Sequence, residues 1–204
     1  MQELVTSSMK FFIYIVLSAV AFCPVLSTLG QSNRSMKSLK AEITDTLASQ
    51  KGVFAVAFKD LSTGKEILIN AQENFHAAST MKTPVMIEVF KQVAEGKFSF
   101  TDSFLIANQF KSIVDSSVYS LDSTDDSETE IYRHIGEKRS LYDLLYQMII
   151  ASSNLSTNLI IGLVDARKVT ETMRSMGAKK INILRGVEDN KAYEKGLNNT
   201  TTAY

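Results

Sequence analysis

An apolar run from Phe11 to Leu26 (FFIYIVLSAVAFCPVL) stands behind Lys10 and ahead of the small and polar residues Ser27, Thr28, Leu29, Gly30 and Gln31. The run is shorter than the roughly 20 apolar residues a membrane span needs, and its order of basic, apolar and small residues reads as a secretory leader. Residues 1–30 are therefore expected to be a signal peptide cut near Gly30. Cys23 lies inside it, with Phe22 where a lipoprotein signal needs a small residue, so lipidation is not expected. The folded domain must then come from residues 31–204, which contain no cysteine. Without disulfides, apolar packing alone has to hold it. An exported, cysteine-free domain fits a bacterial envelope, periplasmic or secreted.

Charge and composition exclude several classes. The 22 basic side chains balance the 22 acidic ones, leaving no long-range attraction for nucleic acid or an anionic membrane surface. Two histidines cannot supply a multi-histidine metal site. No metal and no cofactor are expected, and the domain is read as a monomer.

Along residues 31–204 the apolar pattern predicts an α+β domain. Met36, Leu39, Ile43 and Leu47 fall at helical spacing. Val53–Phe58 and Glu66–Asn70 flank the turn-rich Asp60–Lys65 and read as a β-hairpin. Met81–Val93 is apolar on so many faces that the whole helix, Phe90 included, is placed in the interior. The acidic stretch Asp122–Glu130 reads as a solvated loop. Ser140 with Asp143 caps a helix running to Ala151, Leu155–Val164 forms another, and Val169–Met176 a short third stopped by Gly177. Ile181–Leu184 reads as extended. Asn198–Tyr204 reads as a helix start, and a chain that stops inside a first helical turn is expected to be part of a longer one.

The chemistry-bearing signal is a serine with a lysine three residues on. A serine hydroxyl becomes a nucleophile once a base takes its proton, and a lysine can do so when burial depresses its ammonium pKa. Spacing of i, i+3 on a helix puts the two side chains on one face. Three such pairs occur: Ser7/Lys10, Ser62/Lys65 and Ser79/Lys82. The first belongs to the leader and the second to a hairpin turn. Only Ser79-Thr80-Met81-Lys82 opens a buried helix, where the helix dipole favours a developing oxyanion. A second cluster, Ser152-Ser153-Asn154-Leu155-Ser156-Thr157-Asn158, fills the turn between two helices. Either cluster alone would serve as a cap.

Together, His76-Ala77-Ala78-Ser79-Thr80-Met81-Lys82, Met148-Ile149-Ile150-Ala151-Ser152-Ser153-Asn154 with Asn158, Arg185-Gly186-Val187-Glu188 and Thr200-Thr201-Thr202 resemble the class A serine β-lactamases and their penicillin-recognising relatives. The resemblance implies their α+β fold, a helical subdomain beside an antiparallel sheet, and a β-lactam substrate. It implies that Ser79 forms an acyl-enzyme, that Lys82 helps deprotonate it, that Ser152 passes a proton toward the lactam nitrogen, and that Asn154 holds the substrate's side-chain carbonyl. The glutamate that activates the hydrolytic water is matched by Glu188, with Glu194 as a second candidate.

Three departures qualify it. Ser153 stands where the family usually has Asp. Glu188 lies three residues after Arg185, where the family spacing is two. No Lys-Thr-Gly or Lys-Ser-Gly occurs in the chain; the resemblance places that motif further along, with the final helices, three strands of the sheet and a second oxyanion donor. Competing expectations are a D-alanyl-D-alanine peptidase or slow penicillin-binding relative, and an inactive envelope domain.

Overall fold

The computed structural model describes residues 35–204. The leader, with Cys23, lies outside them. Two compact units divide at Lys51. The first holds α1 (Met36–Ala48), whose N-cap Ser35 accepts a hydrogen bond from the Ser38 N–H, with the expected stripe at Met36, Leu39, Ile43 and Leu47. No helix among the described residues is long and apolar enough to cross a membrane.

The second unit, Gly52–Tyr204, holds the remaining elements and all the candidate site residues. The expected hairpin forms from β1 (Val56–Lys59) and β2 (Glu66–Ile69), antiparallel, with Asp60 closing the turn on Ser62 and Thr63. Next comes β3 (Phe75–His76), then a 3₁₀ turn (Ala78–Met81) feeding α2 (Lys82–Ala94). Strand β4 (Ser103–Leu105) pairs with β7 (Lys138–Ser140), and β5 (Phe110–Lys111) with β6 (Val118–Tyr119). Helices α3 (Leu141–Ile150), α4 (Asn154–Val164), α5 (Ala166–Ser175) and α6 (Asn190–Glu194) follow. Helix α5 starts three residues earlier than its apolar pattern suggests because Asp165 caps it through the Arg167 N–H.

The core lies where α2, α3, α4 and α5 meet: Val85, Val89, Leu144, Met148, Leu155, Ile160 and Val169 are fully buried, each worth about 1.5–3 kcal/mol of transfer free energy. Helix α2 is less completely interior than its sequence suggests, since Phe90 is 52% exposed. In its place the helix buries polar groups. Glu88 accepts from Gln92 Nε2 at 2.6 Å and from Thr172 Oγ1 on α5, while Gln92 also donates to the Val164 carbonyl ending α4. These bonds satisfy groups that would otherwise be costly to bury, and they lock α2 against its neighbours.

The end of the chain departs from expectation. Thr200–Thr201 is a strand, β8, paired antiparallel with β3, and Asn182 bridges to Thr200. The asparagine read as a helix-start signal is used differently: the buried Asn199 side chain accepts from the Leu184 and Arg185 N–H groups and donates to the Arg185 carbonyl. With that amide spent on a loop and strand hydrogen bonds on offer from Phe75 and His76, the β-branched threonines extend.

Candidate active site

Ser79 lies in the second position of the 3₁₀ turn, and Lys82 is the first residue of α2. Tightening the first turn does not separate them, because i, i+3 neighbours eclipse in a 3₁₀ helix. Lys82 Nζ is 3.3 Å from Ser79 Oγ. The lysine is 3% exposed and Ser79 is open to solvent. Burial pulls the Lys82 ammonium below its ordinary pKa, against the opposing pull of the Asp126 and Glu188 carboxylates.

The second cluster meets the first from the α3–α4 turn. Ser152 Oγ is 2.8 Å from Lys82 Nζ and 3.1 Å from Ser79 Oγ, closing a triangle of three proton-exchanging groups. Lys82 also donates to the Ser152 carbonyl and, at 3.1 Å, to Asn154 Oδ1. Ser153 points away and caps α4 through the Ser156 N–H. Holding Ser152 here requires a left-handed backbone (φ 57°), which ends α3 and turns the hydroxyl inward. Ala78 (φ 44°) and Glu188 (φ 61°) share that conformation, so three strained residues border one site, each costing of order 1–3 kcal/mol.

Glu188 completes the group. Its Oε1 accepts from Asn154 Nδ2 at 2.9 Å, so Asn154 bridges Lys82 on one side and Glu188 on the other. An amide nitrogen carries two hydrogens, so one donor of Asn154 stays available to a ligand. Burial pushes the Glu188 carboxyl above the ordinary carboxylate range, the Asn154 bond opposes this, and the nearby Asp125 and Asp126 carboxylates add to it. Glu188 takes its place beside Asn154 with a left-handed backbone, three residues after Arg185. Ser79, Asn154 and Glu188 line a cavity of about 280 Å³ that His76, Asn190 and Tyr193 also border. Glu194, at the exposed end of α6, does not line it.

One participant was hidden in the acidic stretch. Most of Asp122–Glu130 is solvated as expected, but Asp126 is 7% exposed. Both its oxygens accept from the Asn154 N–H at 2.9 Å, and Oδ2 also takes the Leu155 N–H and the Tyr132 hydroxyl. A carboxylate therefore sits on the first turn of α4, where the dipole favours it, and it fixes the backbone that carries Asn154. Sequence reading had one available signal, a carboxylate with apolar Ile131 and Tyr132 just beyond.

Residues 38–204 match the profile of the beta-lactamase enzyme family. No curated protein matches the chain. Among solved structures, a beta-lactamase from Sphaerobacter thermophilus DSM 20745 aligns with a TM-score of 0.62 at 24% identity, over 80% of this chain and 57% of its own. TLA-1 extended-spectrum beta-lactamase aligns at 0.67 and 21%, over 81% and 58%. PBP-A aligns at 0.64 and 21%, over 82% and 58%. The chain thus spans less than two thirds of the length of each, and at these identities the likeness is one of fold.

Proposed function

Because the chain belongs to the beta-lactamase enzyme family, we propose that it contributes the acylating and hydrolytic groups of a serine β-lactamase. The observation that carries this reading is the bonded Ser79–Lys82–Ser152 triangle with Glu188 tied to it through Asn154. Ser79 Oγ attacks the lactam carbonyl carbon while its proton passes to the unprotonated form of Lys82 Nζ, which burial favours. The Ser79 N–H supports the resulting oxyanion. The C–N bond then breaks, and the ring nitrogen receives a proton through Ser152 Oγ, which Lys82 reprotonates. The product is an ester on Ser79. In the second half Glu188 takes a proton from water as the water oxygen attacks the ester carbonyl, and when Ser79 leaves that same proton is handed back from Glu188 to Ser79 Oγ, so that Glu188, Lys82 and Ser79 end in the forms they began in. One water is consumed and the ring-opened amino acid is released. Asn154 orients the substrate with its spare N–H. The leader expected in residues 1–30 supports a location outside the cytoplasm for this chemistry.

A second reading keeps the acylation and drops the hydrolysis. It is favoured by the one-residue displacement of Glu188 from the family spacing: if the carboxylate misses the water, the protein is a slow penicillin binder. Mass spectrometry of the protein after exposure to penicillin separates the two. A hydrolase shows a transient adduct on Ser79 and returns to free protein, a slow binder keeps the adduct, and Ser79→Ala shows none. An adduct of equal yield in Ser79→Ala would refute both readings.

A further inference from the structure

Glu188 is bracketed by two anchors of different origin. On one side Val187 is held mainly by α4: Asn158 Oδ1 accepts its N–H at 2.6 Å, and Asn158 Nδ2 donates to its carbonyl at 3.0 Å, to which the Tyr119 hydroxyl of β6 also donates at 3.3 Å. On the other side Asp189 is held by the tip of the β5–β6 hairpin. Ser112 Oγ donates to Asp189 Oδ1 at 2.8 Å, and the Ile113 N–H donates to Oδ2 at 2.9 Å. Asp189 is 2% exposed and Ser112 4%, so this is an interior anchor. Asp189 Oδ1 also caps α6 through the Ala192 N–H. Further out, Lys191 Nζ reaches Asp115 Oδ2 at 2.9 Å and Ser117 Oγ at 2.7 Å across the same tip. The loop's own arginine adds no such tie. Arg185 is buried, yet its guanidinium donates to the Leu197 and Gly186 carbonyls and to Asn198 Oδ1, all nearby along the chain.

We propose that the β5–β6 hairpin is a positioning element for the hydrolytic half-reaction: it grips Asp189 and so holds the neighbouring, left-handed Glu188 toward Asn154 and the water it activates. A left-handed non-glycine residue reverts to a relaxed backbone unless its neighbours forbid it, and here they are fixed by Asn158 before and Ser112–Ile113 after. None of these groups touches Ser79, Lys82 or Ser152, so loosening the hairpin affects deacylation and spares acylation. The inference rests on Glu188 being the deacylating base.

The test compares Asp189→Asn with the gentler pair Ser112→Ala plus Lys191→Ala, which leaves the buried carboxylate in place and serves if the first variant does not fold. Burst kinetics with a chromogenic cephalosporin read the two rate constants separately, and hydrogen exchange reads the backbone of residues 186–194. Deacylation is expected to fall about tenfold or more in Asp189→Asn, with acylation within about twofold, since ångström-scale misplacement of a base costs rate steeply. Exchange should quicken across 186–194 and stay unchanged in α2 and α4. An equal fall in both rate constants, or faster exchange with unchanged deacylation, overturns the proposal. If Glu188→Gln deacylates at the parent rate, the underlying reading fails first, and the hairpin variants are not needed to show it.

Discussion

The two halves of the site are built by different means. Ser79, Lys82, Ser152 and Asn154 sit at helix beginnings or in a tight turn between helices, and helix geometry with backbone capping sets their mutual distances. Glu188 sits on a loop, and hydrogen bonds from two other segments keep it in place: from α4, Asn154 on its carboxylate and Asn158 on Val187, and from the β5–β6 hairpin, Ser112 and the Ile113 N–H on Asp189 and the Tyr119 hydroxyl on Val187. A nucleophile and its proton relay must be aligned to within tenths of an ångström, which suits the rigid frame. A base acting through a water tolerates a longer tether. The difference implies that the acylating half resists perturbation and that the hydrolytic half drifts or is lost with few changes.

The largest effect expected from this contrast is that of Glu188→Gln. The amide keeps an acceptor for Asn154 and cannot take a proton, so acylation should continue while deacylation slows by about 10²–10⁴, the usual worth of a positioned general base. Mass spectrometry should then find the acyl-enzyme accumulated on Ser79. The same variant carries a stability signature. The folded-state pKa of Glu188 is raised, so its favourable contribution is complete below the ordinary carboxylate range and is lost as pH rises through the raised value. Glutamine escapes that loss. Its Tm should exceed the parent's at pH 7, and the gap should close at acid pH. A lower Tm at both values would mean that Glu188 is a structural group.

The contrast also explains what could be read in the sequence. Ser79 and Lys82 were legible because i, i+3 spacing becomes proximity in either helix type, whereas Ser152 and Asn154, in a turn whose residues alone would read as a cap, were picked out only by the family resemblance. The four core helices followed from periodicity. Glu188 was legible only as a displaced partner of Arg185 in the family resemblance, since a left-handed backbone at a glutamate leaves no mark on the residue type. Asp126 was marked only by the apolar Ile131 and Tyr132 just beyond it, and the Ser112–Asp189 anchor by nothing, because each joins segments far apart in the chain, and a serine or aspartate that turns inward looks like one that does not. Asn198–Tyr204 was misread for the same reason. Its cap-like residues are consumed by Arg185 and β3, which lie at a distance in sequence.

Asp126→Asn is expected to have the next largest effect, and it touches both halves. Its carboxylate supports the Lys82 ammonium and raises the Glu188 pKa. With that charge gone, Lys82 loses a proton more easily and Glu188 ionises at lower pH. The Lys82-dependent rise of acylation and the Glu188-dependent rise of deacylation should therefore both move to lower pH. An amide keeps one acceptor oxygen for the Asn154 and Leu155 N–H groups, so the cap weakens by about 1 kcal/mol, or about 2–4 °C in Tm for a chain of this size. pH–rate profiles of the two steps decide the matter. A Tm loss with unmoved profiles would make Asp126 a helix cap alone.

The smallest expected effect is the sharpest probe of the tethered half. A Cβ on Gly186 would stand 2.3 Å from Asn158 Oδ1 and 2.8 Å from its Cγ, and that side chain is the one clamping Val187. In Gly186→Ala the amide has to retreat, stretching both of its bonds to the residue that precedes Glu188. Crowding of this kind costs about 1–3 kcal/mol, and the loop can absorb part of it by shifting as a unit toward the hairpin. Deacylation should then slow several-fold, well short of Glu188→Gln, with acylation unchanged, because Asn158 makes no bond to the Ser79–Lys82–Ser152 group. If acylation slows in step with deacylation, the loop and the helix frame move together, and the two halves are one mechanical unit after all.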